Sequence, residues 1–444
     1  MFRTLIRPSY TSGCIRKCMR FFGTSSYGKP LSAKAQEFVD LDHKYGAQNY
    51  EPIEVVLSKG RGANVWDVDG NEYLDFISAY GAVNQGHNHP KIVEAFIKQA
   101  QELTLTSRAF FNDQFPLTLK YFSEKFGFDR SIFMNTGVEA GETAIKFARR
   151  WGYDHKGVTP NEATVLFAKN NFWGRTIAAV SSSSDPESYT GFGPYTPGFD
   201  LIEYDNIQAL KEKLEANPNI VAYMVEPVQG EAGIVVPSEG YFKQVSELCK
   251  KHNVLLICDE VQTGLGRTGT LLAYEHEGIK PDVVVMAKSL SGGMMPVSCV
   301  MGSHEVMLSI KPGQHGSTFG GNPLGSVIAR TAVDVLIEEN MIENSKNLGQ
   351  YFRDELKKIQ NELPQCIKEV RGRGLMNAIV IYPLKNGKAD ATDLCYLFRD
   401  HGLLTKPTQS DIIRFTPPLV INKQQIDQGL DIIRKSLLQY KDLN

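Results

Sequence analysis

The sequence predicts an α/β protein built around a mainly parallel, buried β-sheet, and three observations carry that prediction. Short runs rich in valine, isoleucine and leucine at residues 221–225, 254–258 and 283–286 do not alternate with polar residues, as expected of strands covered on both faces. Between the first two, residues 240–252 place Phe242, Val245, Leu248 and Cys249 at helical spacing, which makes the segment a βαβ unit. Each run leads into a polar residue, namely Glu226, Asp259 and Lys288, and groups just beyond parallel strand ends face the ligand crevice of such sheets.

The elements follow in order. Residues 1–36 carry Arg3, Arg7, Arg16, Lys17, Arg20, Lys29 and Lys34, with no acid before Glu37. A basic, hydroxylated, acid-free start is similar to a mitochondrial transit peptide, expected over 1–30, although Pro8 interrupts an amphipathic helix there. Residues 33–45 read as a short helix, and NVWDVDGNEYLDF reads as a hairpin turning at Asp69 and Gly70. In 91–103, Ile92, Phe96, Ala100 and Leu103 share one helical face. Strands and helices then alternate to about residue 330, the expected large domain being 70–330. Helical patterns fill 324–359, followed by short strands at 375–381 and 412–415 and helices at 393–401 and 423–440. A smaller α+β domain is expected from both chain ends, 31–69 with 331–444.

Composition narrows the function. A chain of 444 residues with net charge −2 and 42% hydrophobic content can bury a sizeable core. Its basic residues are dispersed, which argues against nucleic acid, and no apolar run reaches the roughly 20 residues of a membrane span. Seven scattered cysteines, with only Cys14 and Cys18 close together, suggest neither a disulfide framework nor a zinc site. His87 and His89 form an HxH pair without further nearby ligands, a pattern more often structural than metal-binding. No metal is expected.

An acid and a lysine at neighbouring strand ends suit pyridoxal phosphate. The lysine serves as covalent anchor for an aldehyde cofactor and afterwards as a mobile base, while the acid keeps the pyridine nitrogen protonated so that the ring can accept electrons. Taken singly, Lys288 would be a surface residue and Asp259 a helix cap. Together, joined by DEVQTGLGRTG and followed by SLSGG, they carry more. In MNTGVEAGETA, Thr136 and Glu139 have capping-box spacing, and the free N–H groups of a helix over 138–150 would form an anion site that Gly137 lets a phosphate approach. Arg175 and Arg414 are candidate carboxylate clamps. Arg414 lies in an apolar strand context and needs a partner.

These blocks, with NYEP, SAYGAVNQGHNHP, LTLTSRAF, NFWGRT, SYTGFGPYTPGFD, VEPVQGEAG, HGSTFGGNPLG and DIIRFTPPLV, resemble the class III pyridoxal-phosphate-dependent aminotransferases of fold type I, from about residue 47 to 438. The resemblance implies that Gly137 and Val138 hold the cofactor phosphate and that Thr318 reaches it from the other subunit of a homodimer. It further implies that Phe172 stacks on the ring, and that Gln262 donates a hydrogen bond to the phenolic oxygen. Among members acting on ornithine and 2-oxoglutarate, the match to Glu231 pairs with the match to Arg414 while ornithine is bound. It releases that arginine for the α-carboxylate of 2-oxoglutarate, whose other carboxylate goes to Arg175. Tyr50 and Tyr80 would hold ornithine's α-amino and α-carboxylate end. Tyr80 separates this pattern from the γ-aminobutyrate enzymes, which tend to carry an aliphatic residue there. Gly81, beside Tyr80, and Asn88, between the two histidines, are departures from the family pattern. Alternatives are acetylornithine or γ-aminobutyrate as substrate, an aminomutase needing no 2-oxoglutarate, and a non-catalytic descendant. A nucleotide-binding dehydrogenase would leave GLGRTG without its strand-to-helix context.

Overall fold

In a computed structural model, residues 28–382 and 389–443 are described. Residues 1–27 of the expected transit segment, with Cys14 and Cys18, lie outside them. The three apolar runs are consecutive central strands of a seven-stranded sheet. Its strands in chain order are β1 (Arg130–Met134), β2 (Thr164–Ala168), β3 (Phe199–Ile202), β4 (Ile220–Val225), β5 (Leu255–Asp259), β6 (Val283–Met286) and β7 (Ser298–Gly302). The spatial order is β1-β7-β6-β5-β4-β2-β3. Pairing is parallel from β6 through β3, and β7 runs antiparallel to both of its neighbours. Every residue of β4, β5, β6 and β7 is buried, as runs without polar alternation require.

The helix expected over 138–150 spans Gly137–Trp151, and its capping box forms with Thr136 and Glu139 bonding each other's backbone N–H groups. The 240–252 segment is helical over Tyr241–Lys251. The helical patterns over 324–359 form two helices, Pro323–Glu338 and Met341–Glu362. They break at Asn340, which takes the left-handed conformation with φ 53° that asparagine tolerates better than most residues.

Segments near both chain ends meet in two smaller sheets. Leu57–Arg61, Asn64–Asp67 and Glu72–Asp75 form a meander to which Leu403–Leu404 adds in parallel. The other sheet joins Ile367–Arg373, Met376–Ile381, Ile412–Phe415 and Pro407–Thr408. Phe76, fully buried, joins the two regions: its N–H donates to Leu404 O at 2.8 Å, and its ring meets Phe352 and Phe415 edge-on.

Replacing Phe76 by alanine removes the hub of this three-ring cluster, and surrounding helices cannot fully collapse into the space. A loss of roughly 3–5 kcal/mol is expected. The urea midpoint of the variant measures it; a midpoint within error of the parent's would show that the cluster is not a shared core.

Candidate active site

The carboxyl ends of four parallel strands open on one cavity of about 600 Å³. β4 delivers Glu226, β5 delivers Asp259 and β6 delivers Lys288, while the turn after β2 brings Phe172. From the far side of the sheet β1 leads into Asn135, Thr136 and the first turn of the Gly137–Trp151 helix, which lines the same cavity at Gly137 and Val138. Gln262 and Glu231 complete the wall. Two helical residues and four strand ends thus converge because the sheet is parallel here and its helix starts lie on the same side.

Electrostatics within the cavity are unbalanced. Asp259 is buried and accepts one backbone hydrogen bond, from Val261 N at 3.0 Å. Burial pushes its pKa up to about 6, against the pull of that N–H and of Lys288. Glu226 is pushed up to about 8 by burial and then by Asp259, although its two oxygens accept N–H groups from Phe172 at 3.1 Å and Gly230 at 3.0 Å. Burial lowers the pKa of Lys288, favouring a neutral amine, with Glu231, Asp259 and Glu226 opposing. Lys288 also holds a positive φ of 47°, uncommon for a residue with a long side chain.

Arg414, on the strand Ile412–Phe415, is nearly inaccessible and makes an ion pair with Glu231, Nη1 to Oε1 at 2.6 Å. Its guanidinium lies 5.1 Å from the centre of the Tyr80 ring. Tyr80 sits in a left-handed turn: Ser78, Ala79, Tyr80 and Gly81 have φ of 45°, 49°, 59° and 82°. Such a turn costs roughly 1–2 kcal/mol for each non-glycine residue and persists only where its surroundings fix it. Asp75 Oδ1 accepts the Ile77 and Ser78 N–H groups at 2.9 and 2.7 Å, Thr416 Oγ1 donates to Ile77 O at 3.0 Å, and Ser78 Oγ donates to Thr416 O.

Other candidates fall at the periphery. Arg175 is exposed, donates to Ser188 Oγ at 3.0 Å and lies 5.4 Å from the Phe172 ring centre. Tyr50 is 73% exposed, close enough to Tyr80 to influence it electrostatically. Thr318 is exposed and does not line this cavity. His87 and His89 diverge onto different carboxylates, Asp75 at 2.7 Å and Glu339 at 3.1 Å. Sequence reasoning assigned no role to Glu226, although its strand-end position is the signal that found Asp259, and it missed the Tyr80 turn.

The cavity fits a pyridoxal phosphate. Asp259 is a buried carboxylate in want of a cation, which a protonated pyridine supplies. Gln262 Oε1 is buried without a partner, while Gln262 Nε2 uses one hydrogen on Tyr80 O at 3.2 Å and retains the other. A Cβ at Gly137 would come within 3.1 Å of Val261 and 3.6 Å of Ala287, a tight fit that glycine avoids at the helix start. The family model described as Aminotransferase class-III matches residues 45–437.

The chain belongs to the class III aminotransferases. It is accordingly a pyridoxal-phosphate-dependent enzyme. Over 424 residues the chain is 56% identical to a Drosophila melanogaster protein named ornithine aminotransferase, mitochondrial, covering 95% of this chain and 96% of that one. Its fold matches the crystal structure of the ornithine aminotransferase from Toxoplasma gondii ME49 with TM-score 0.90 and 44% identity, covering 98% of this chain and 100% of that one. The acetylornithine aminotransferase from Elizabethkingia anophelis matches with TM-score 0.83 and 47% identity, over 91% of this chain and 99% of that one. Among the described residues no helix is long and apolar enough to cross a membrane.

The two buried carboxyls of this aminotransferase make its cofactor-free form pH-sensitive. Both have folded pKa values above their ordinary 3.8 and 4.5, so their contribution is fully present below those values. It is lost as pH rises through about 6 for Asp259 and about 8 for Glu226. Asp259→Asn removes the buried charge. At pH 8 the cofactor-free variant should be more stable than the parent by on the order of 1–3 kcal/mol in urea unfolding, yet bind pyridoxal phosphate more weakly. Equal stability of the two cofactor-free proteins at that pH would contradict the assignment.

Proposed function

We propose that this class III aminotransferase moves the δ-amino group of L-ornithine to 2-oxoglutarate, yielding glutamate-5-semialdehyde, which cyclises to pyrroline-5-carboxylate, and L-glutamate. The observation that carries the reading is the 2.6 Å pair between Arg414 and Glu231 at the cavity wall. An arginine so neutralised does not attract the α-carboxylate of an amino acid. Ornithine is then held the other way round, with its α-amino and α-carboxylate end at Tyr50, Tyr80 and Arg175 and its δ-amine at Lys288. When 2-oxoglutarate enters, Glu231 swings off Arg414, which takes the α-carboxylate, while Arg175 takes the distal one.

Pyridoxal phosphate, when bound, supplies the electron sink that stabilises charge left on the substrate carbon. Lys288 would anchor it and Asp259 would hold the pyridine nitrogen. Gly137, Val138 and the helix N–H groups would hold the phosphate, Phe172 would support the ring and Gln262 would bind the phenolic oxygen. Lys288 Nζ, once displaced by substrate, would be the base that takes the proton from the δ-carbon and delivers it again on the same face. Its lowered pKa suits that task, since only the neutral amine accepts a proton.

The enzyme acts as a homodimer whose two sites lie at the subunit interface, with Thr318 of each chain reaching the phosphate of the other. Exposed Phe319, Phe110 and Phe111 support a covered face: Arg108 stacks on Phe111 and on Phe115, and Phe115 lies against Gly321. The basic start of the chain and relatives named mitochondrial support residence in the mitochondrial matrix. No nucleic acid and no membrane take part.

Three readings test this. Adding ornithine to the holoenzyme should bleach the visible absorbance of lysine-bound cofactor, and 2-oxoglutarate should restore it, with ping-pong kinetics. Bleaching only by N-acetylornithine or γ-aminobutyrate would move the assignment to those substrates, and intersecting initial-velocity lines would exclude the two-step scheme. Glu231→Ala should shift preference toward α-amines, slowing the ornithine half-reaction relative to that of glutamate by about tenfold or more, the equivalent of one charge-assisted hydrogen bond.

A further inference from the structure

The segment that carries Thr318 is fastened at two places just ahead of an exposed tip. Farther from the tip His315 packs against the helix Gly137–Trp151: its Nε2 is 2.8 Å from Thr143 Oγ1, and Lys146 Nζ is 2.9 Å from its Nδ1. Thr143 Oγ1 already donates to Glu139 O at 2.6 Å, so it accepts from the imidazole, and Nδ1 accepts from the ammonium. That fixes one neutral tautomer. Burial and then Lys146 lower the pKa of His315, in keeping with an imidazole that stays uncharged. Lys146 also donates to Gln314 O at 3.2 Å. Next to the tip Asn135 Nδ2 donates to Ser317 Oγ at 2.9 Å, which also accepts Gly320 N at 3.1 Å and so closes the turn. Within that turn Thr318 and Phe319 face solvent, Phe319 at 53% exposure.

The same helix therefore does two things. Its first turn, Gly137 and Val138, lines this chain's own cavity, and its second and third turns, at Thr143 and Lys146, grip the Thr318 segment. We propose that His315 is a positioning residue for the other subunit's cofactor site, clasping the Thr318 segment to the helix that cradles this subunit's own phosphate. The inference rests on the reading that Thr318 crosses to the second copy. It makes each phosphate cradle a support for both sites: the helix start acts in cis, and the clasp acts in trans. Nothing else in the pattern HGSTFGG requires the histidine to touch substrate.

Hybrid dimers test it. Two differently tagged copies are co-expressed and the mixed species purified, so that only one of the two sites retains Lys288. In the first hybrid, a Lys288→Ala chain is paired with a His315→Phe chain. The surviving site belongs to the His315→Phe chain but receives its Thr318 segment from the chain with an intact clasp. It should retain pyridoxal phosphate as well as a hybrid of Lys288→Ala with unaltered chain. In the second hybrid, both substitutions lie on one chain paired with an unaltered one. There the surviving site should release cofactor about tenfold more readily, the effect of losing one net hydrogen bond at the low thousand-small-calorie scale. Lys146→Met should follow the same pattern from the helix side, which guards against an effect peculiar to the phenylalanine.

The reverse pattern, a defect in the first hybrid only, would overturn the clasp as a trans device, and equal defects in both would reduce His315 to general stability. Thr318→Ala placed in the same two hybrids separates the levels. If it too acts only in cis, the crossing of Thr318 fails and the inference falls with it. If Thr318→Ala acts in trans while His315→Phe does not, the dimer reading stands and the clasp alone is wrong.

Discussion

A guanidinium with no access to water constrains both the frame and the site. Arg267 is fully buried, and no carboxylate pairs with it directly among the described residues. Its Nη1 donates to Leu375 O at 2.9 Å and Pro417 O at 2.6 Å, and its Nη2 to Asn84 Oδ1 and, at 3.4 Å, Ser78 Oγ. Burial lowers its pKa to about 9, partly offset by Asp75, so it remains a cation at neutral pH and must be solvated by these oxygens. The four acceptors come from two regions far apart in sequence, Ser78 with Asn84 and Leu375 with Pro417. Meeting their geometry fixes the strand pair 376–381 and 412–415 against the start of the left-handed turn. Tyr80 and Arg414, on those two segments, are thereby brought within 5.1 Å of each other.

A second consequence concerns charge at the strand ends. Glu226 and Asp259 both lie in a buried wall, where burial raises the energy of ionising each and Asp259 adds to the cost at Glu226. Glu226 also holds two pieces of the site at once, the backbone of Phe172 and that of Gly230, next to Glu231. Phe172, at the cavity wall, and the arm that neutralises Arg414 therefore share one carboxyl anchor. Stability is sacrificed at these positions in a form that a cationic ring against Asp259 can return.

Much of this was legible in the chain because burial and periodicity are local signals. Unbroken runs of valine and isoleucine located β4, β5 and β6, and the polar residues after them gave Asp259 and Lys288. The capping box at Thr136 marked the helix start to within a residue. What was hidden depends on partners distant in sequence. Three successive non-glycine residues at positive φ have no local signature, since Asp75, Thr416 and Arg267 impose the turn from outside. Arg267 itself, within GLGRTG, reads as a loop cation until the carbonyls around it are known. The break at Asn340 interrupts an apolar pattern that is itself compatible with one long helix.

The Arg414–Glu231 pair also explains why an exchange of substrates need not rebuild the pocket. Removing one partner from a buried pair is expensive, about 3–5 kcal/mol, because the other charge is left unsolvated. Arg414 has almost no exposure, so Glu231 can leave only as another carboxylate arrives. Glu231, with 31% of its side chain exposed, is the member free to move, whereas Arg414 is walled in by strand and Tyr80. Moreover Glu231 meets only Nη1, and Nε of Arg414 is buried with no partner. An incoming α-carboxylate that used both nitrogens would satisfy a donor that Glu231 leaves idle, so the exchange can be favourable without any strain in the arginine. On the proposed reading, ornithine bound with its amine foremost offers no such carboxylate at this position, and the pair stays closed. Selectivity between the two half-reactions would then follow from which end of the substrate carries an anion, read by one arginine whose resting partner is the weaker match.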